Sequence, residues 1–144
     1  MIRSITNQDL DAITCLALKI YQKSTYEEII EEFTAAINNP NNLIVVSIVD
    51  NTIVGFAHCS LRFDYVEGTA SSPVGYLEGI YVLEAYRNMH HAKKMIEACE
   101  KWAKQKGCNE FASDCELNNT NSELFHKALN FKETNRIICF AKKI

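Results

Sequence analysis

Residues 76–96 read YLEGIYVLEAYRNMHHAKKMI. An apolar, β-branched run stops at Leu83, crosses a polar knot, and resumes at helical spacing with Ala92, Met95, Ile96, Cys99, Trp102 and Ala103. The period changes from two to 3.6 within a few residues, which is a strand, a tight turn and an amphipathic helix. A second strand-like stretch, NEFASDC (109–115), follows Gly107, the expected helix stop. A strand, a crossover helix and another strand make a parallel β-α-β unit. The chain must therefore be a mixed α/β layer.

The rest of the chain extends that unit. Residues 1–6 form a short strand. Thr6, Asn7 and Asp9 offer N-cap chemistry to a helix carrying Leu10, Ile13, Leu16, Ala17 and Ile20. Ser24 and Thr25, with Glu27 and Glu28, start a second helix whose apolar side is Ile29, Ile30, Phe33, Ala36 and Ile37. LIVVSIVD (43–50) and TIVGFAHCSLRFDYV (52–66) are strands joined by the hairpin signal Asp50-Asn51, and VGYLEGIYVL (74–83) is the next. SELFHKAL (122–129) is a short helix, and FKETNRIICFAKKI (131–144) supplies a closing strand. The order is β-α-α-β-β-β-α-β-α-β.

With 144 residues, one domain spanning 1–144 is expected, and 47% hydrophobic residues can fill its core. The formal net charge of −3 provides no basic excess for nucleic acid. No run of residues has the length and apolarity of a membrane span or a signal peptide. The six cysteines form no C-x-x-C pair and no metal-ligand spacing. They read as reduced thiols of a cytoplasmic protein, several of them buried, with no metal site.

A helix that follows a strand through a tight turn aims free N–H groups and its positive dipole end at whatever lies there. Arg87 opens this turn, and Lys93 and Lys94 lie in the first helical turn. Cations are unfavourable at a helix N-terminus unless an anion is present. Three basic side chains with His90 and His91 therefore point to a polyanion, against the simpler reading of a solvated helix start. Glu78 sits mid-strand in an apolar run, where a carboxylate is costly unless it faces a cleft or solvent.

The pattern strand-x-x-Tyr-Arg-x-x-Gly-x-Ala-helix resembles the acetyl-CoA pyrophosphate loop of the GNAT N-acetyltransferases. Here it reads Arg87-Asn88-Met89-His90-His91-Ala92, with His90 where the family has glycine. The segments FDYVEGTASSPVGYLEGIYVLEAYR (63–87), WAKQKGCNEFASD (102–114) and FKETNR (131–136) are similar in order and spacing to the compact bacterial aminoglycoside 6'-N-acetyltransferases. The resemblance implies the GNAT fold, a mostly antiparallel mixed sheet flanked by helices, and a homodimer. It implies acetyl-CoA as co-substrate and a cationic aminoglycoside as acceptor, with antibiotic resistance as the consequence.

Carried over residue by residue, the resemblance gives Glu78 the amine contact and proton removal. Ile80, Tyr81 and Val82 offer their backbone to the pantetheine arm. Arg87, Asn88, His90, His91 and Ala92 surround the pyrophosphate, and Asn119 contacts the cofactor. Tyr65 and Asp114 contact the acceptor. The N-terminal helices wall its cleft, with Tyr21 where relatives use tryptophan and Ser24 where they use histidine. Asn135 stands where an acidic residue is expected. A ring of carboxylates from among Asp64, Glu67, Glu78, Asp114 and Glu116 suits a polycation.

Many members of the superfamily protonate the leaving thiolate with a tyrosine. The last strand offers Cys139, read as a buried strand thiol, and Phe140, so no general acid is assigned. His58 and His126 read as packed or surface histidines. Two other functions fit the same sequence: an N-acetyltransferase for a polyamine or peptide N-terminus, and an acyl-CoA-binding sensor without turnover.

Overall fold

The computed structural model describes residues 1–144. Five strands form one sheet in chain order: β1 (Ile2–Ser4), β2 (Asn42–Val49), β3 (Thr52–Arg62), β4 (Val74–Val82) and β5 (Phe111–Ala112). β1 to β4 pair antiparallel, and β5 joins β4 in parallel. Four helices complete the chain: α1 (Leu10–Ala17), α2 (Tyr26–Ile37), α3 (His91–Gln105) and α4 (Thr120–Ala128). The sheet is mixed, as the sequence requires.

Local chemistry sets the boundaries. Asp50 and Asn51 both take positive φ, 46° and 62°, which the tight β2–β3 hairpin needs and these residue types tolerate. Thr25 and Glu28 form a reciprocal capping box at the start of α2. Gly107, at φ 90°, ends the chain's path out of α3.

β2 and β3 are buried on both faces, which explains their nearly continuous apolar runs. Ile44, Val46 and Phe56 pack on one face against Ile13, Leu16, Ile29 and Phe33 of α1 and α2. Val45, Ala57, Cys59 and Leu77 pack on the other against Met95, Ile96 and Cys99 of α3. Phe33 meets Phe56 edge to face at 5.7 Å. Each such buried ring stabilises the fold by about 2–3 kcal/mol.

Several expectations change, among them the long meander strand, which ends at Arg62 and not at Val66. β5 is a two-residue strand rather than the expected seven-residue one (109–115), because the chain turns away from β4 after Ala112. Residues 131–144 form no strand. They pair with no strand of this sheet and instead cross the loop at 67–69, where Gly68 faces the Thr134 side chain and Asn135 Nδ2 donates to Glu67 Oε1 at 2.8 Å. Ile137, Ile138 and Phe140 beyond them are exposed. Cys139 is exposed too, not a buried strand thiol, while Cys59, Cys99 and Cys108 are buried.

Candidate active site

The site lies where β4 outruns β5. Pairing between them is confined to Gly75–Phe111 and Tyr76–Ala112, yet β4 continues to Val82. From Leu77 onward the outer edge of β4 has no strand partner. The side chains of Ile80 and Val82 pack toward α3, and Tyr81 packs toward α1 and α2. Their backbone thus borders an open wedge while their side chains serve the core.

Glu78 is the extra residue of a β-bulge. His58 pairs with Gly79 and Cys59 with Leu77, so nothing opposes Glu78. The bulge inverts the face alternation of β4: Tyr76 and Tyr81, five residues apart, both lie on the face away from α3. It also aims the Glu78 side chain at Ser60 and Arg62 on β3. Ser60 Oγ donates to Glu78 Oε1 at 2.6 Å. Arg62 donates to Oε1 through Nε at 3.2 Å and Nη2 at 3.1 Å, and to Oε2 through Nη2 at 3.0 Å.

The Arg62 guanidinium also stacks on the Tyr76 ring, 3.4 Å from its centroid. The Tyr76 hydroxyl donates to Asp114 Oδ2. Burial, and then that hydrogen bond, push the Tyr76 phenol above its ordinary pKa. The structure thus brings Glu78 and Asp114 together through two residues, Arg62 and Tyr76, that the sequence reading did not single out. Alternation held the clue: Ser60 and Arg62 continue the face of Phe56 and His58 on β3.

Tyr21, in the loop after α1, donates its hydroxyl to the Glu78 carbonyl at 3.2 Å. Burial, then the charges of Glu32 and Glu78, push its phenol up to about 12. Ser24 is half-buried in the same loop, and its N–H bonds the Tyr21 carbonyl at 3.1 Å. Tyr65 is exposed and lines a hollow of about 410 Å³ with Leu61, Arg62, Phe63 and Asp64. None of Ser24, Tyr65 or Asn135 hydrogen-bonds to Glu78 or Asp114; Asn135 is engaged with Glu67.

At the turn, Asn88 (φ 61°) and His90 (φ 63°) are both left-handed, the conformation glycine adopts without strain. His90 precedes α3 without capping it through its side chain. Lys94 N–H makes a helical bond to the His90 carbonyl at 3.0 Å. The N–H groups of His91, Ala92 and Lys93 precede that bond and have no carbonyl one turn back. The His91 ring turns inward, its Nδ1 2.8 Å from Ser47 Oγ, so His91 offers the turn its backbone. Arg87 Nε donates to the Val82 carbonyl at 3.1 Å. Asn119 Oδ1 accepts from Ser122 N–H and caps α4.

The other histidines are packed. His58 Nε2 lies 2.8 Å from Asn42 Oδ1, and burial lowers its pKa. His126 bridges Ser113 Oγ at 2.7 Å and the Ser122 carbonyl at 2.6 Å. No three His, Cys, Asp or Glu side chains converge to hold a metal ion. No helix is long and apolar enough to cross a membrane.

These parts fit acetyl-CoA: a free strand edge for an extended amide arm, and a helix N-terminus with Arg87 beside it for a pyrophosphate. The profile of the Acetyltransferase (GNAT) family matches residues 8–131. An aminoglycoside N(6')-acetyltransferase type 1 of Serratia marcescens is 36% identical over 100% of this chain and 99% of its own. One from Acinetobacter haemolyticus is 46% identical over 71% of this chain and 70% of its own. The solved structure of AAC(6')-Iy in complex with the bisubstrate analog CoA-S-monomethyl-acetylneamine superposes with a TM-score of 0.95 at 34% identity, covering 100% of this chain and 98% of that one.

Proposed function

The chain belongs to the acetyltransferase (GNAT) family, and from that premise we propose that it is an aminoglycoside 6'-N-acetyltransferase acting in antibiotic resistance. It transfers the acetyl group of acetyl-CoA to the 6'-amine of an aminoglycoside. The observation that carries this reading is the opening of β4 from β5 beside Glu78 and Asp114. One strand edge offers backbone to the cofactor, and one carboxylate pair offers charge to a polycation.

Acetyl-CoA supplies the acetyl group as a thioester. The backbone of Ile80, Tyr81 and Val82 holds its arm in the wedge. Arg87, the N–H groups of His91 and Ala92, and the turn residues Asn88 and His90 hold its pyrophosphate, and Asn119, at the start of α4, contacts the cofactor. Holding both reactants in one orientation contributes much of the rate. Glu78 attracts the 6'-ammonium and takes its proton, directly or through water, so that the neutral amine attacks the thioester carbonyl, the C–S bond breaks and CoA leaves as the thiolate. Asp114 and Tyr65 contact the remaining amino-sugar, with Tyr21 and Ser24 on the α1–α2 side and Asn135 near Glu67. Glu78→Gln is expected to lower kcat/KM for the acceptor about 10²-fold; acetylation at the wild-type rate would contradict its role.

We place residues 1–144 in one catalytic domain and the protein in the cytoplasm, where the buried thiols Cys59, Cys99 and Cys108 suit a reducing compartment. We also propose a homodimer. The exposed apolar residues Ile137, Ile138 and Phe140, on a segment with no strand partner in its own chain, support association with a second copy.

A further inference from the structure

Two arginine–carboxylate pairs occur on this sheet, and they differ in kind. Asp9 holds Arg3 at 2.7 and 2.9 Å, accepts from the Thr6 N–H at 2.7 Å, and has a side chain only 10% exposed. That pair fastens β1 to the start of α1. Arg62 and Glu78 lie in the acceptor pocket instead, with side chains 43% and 27% exposed.

The carboxylate of Glu78 is nearly saturated. Oε1 accepts from Ser60 Oγ, Arg62 Nε and Arg62 Nη2, and Oε2 accepts from Nη2. An ionised carboxylate has about four acceptor sites. An incoming ammonium therefore meets a group already engaged by a permanent cation, and like charges at this separation repel. The guanidinium, however, has a second seat. It lies 3.4 Å above the Tyr76 ring, and the Tyr76 hydroxyl is fixed on Asp114. Arg62 can leave Glu78 while keeping its cation–π contact and a neighbouring carboxylate.

We infer that Arg62 is a resident cation of the acceptor pocket, held on Glu78 in the free protein and displaced from it by the reacting ammonium of the acceptor. The inference rests on the aminoglycoside reading given above. Arg62 thereby sets how strongly cationic an acceptor must be to engage Glu78. Ser60 keeps its hydrogen bond to Oε1 during the exchange, so Glu78 stays aimed while the cations trade places.

The test is steady-state kinetics and calorimetric binding with kanamycin for the wild type, Arg62→Met, Arg62→Gln and Arg62→Lys, each checked for a native thermal transition. Arg62→Met keeps the apolar stem over Tyr76, and Arg62→Gln keeps a donor without charge. Both are expected to lower the acceptor KM and Kd by about two- to fivefold, the strength of a part-exposed ion pair, with the acetyl-CoA KM unchanged. Arg62→Lys retains the charge but loses the planar fork and its stacking face, so its acceptor KM and Kd are expected to fall between those of the wild type and the neutral variants. An acceptor KM and Kd that are unchanged or raised in the neutral variants overturn the role of Arg62 alone. A wild type that neither binds nor acetylates kanamycin overturns the acceptor reading, and the inference with it.

Discussion

Tyr21 donates its hydroxyl to the backbone carbonyl of Glu78, reaching across the space that Gly79 leaves by having no side chain. A Cβ on Gly79 would collide with that hydroxyl. The glycine beside the bulge is thus required by the loop after α1, which it locks to the strand carrying the candidate base. Gly79→Ala is expected to expel Tyr21, lowering stability by about 1–3 kcal/mol and acceptor kcat/KM with it. Tyr21→Phe in the same chain removes the colliding oxygen and should recover part of both. Denaturant midpoints and kinetics of the two singles and the double measure the coupling. Additive losses would mean that the two residues do not interact.

His90 holds a backbone conformation that costs a non-glycine residue about 1 kcal/mol. Glycine relieves this but adds freedom to the unfolded chain. His90→Gly is therefore expected to stabilise the protein only slightly, by about 0.5 kcal/mol, and to lower the KM for acetyl-CoA by letting backbone approach the pyrophosphate. An unchanged KM would separate His90 from the cofactor.

The turn at 86–92 was legible because its chemistry is local: residue types, spacing and helix start all lie within one short stretch. The helix start at Thr25 and the hairpin at Asp50-Asn51 were legible for the same reason. The bulge at Glu78 was not, because a register shift exists only between two strands and leaves no mark on either alone. Arg62 and Tyr76 were missed with it. The closing strand failed for a related cause: the continuous apolar run Ile137–Ala141 gives strand propensity, but a strand forms only by pairing with another, and that pairing leaves no mark on the segment alone.

Asp9 gives the fold a pH signature. Hydrogen bonding from Arg3 above all, and from Thr6, holds its carboxyl well below the usual carboxylate range. A depressed pKa contributes stability that is fully present above the unfolded value, about 3.9, and is lost as pH falls below it. Asp9→Asn is expected to cost about 2 kcal/mol at pH 7, and less at pH 3. Urea unfolding at the two pH values checks this; a cost independent of pH would remove the ionic contribution.

Phe140 is among the most exposed large apolar side chains of the chain, 91% accessible. Phe140→Asp is expected to shift the protein from dimer to monomer in sedimentation at micromolar concentration. A wild-type protein that sediments only as a monomer would exclude the homodimer.

The most direct measurement is thiol release from acetyl-CoA in the presence of kanamycin or tobramycin, beside analogues that carry a hydroxyl in place of the 6'-amine, and beside polyamines and peptides. The account predicts turnover with the aminoglycosides and none with the 6'-hydroxyl analogues. Turnover confined to polyamines or peptides, or acetyl-CoA binding without any turnover, would contradict it.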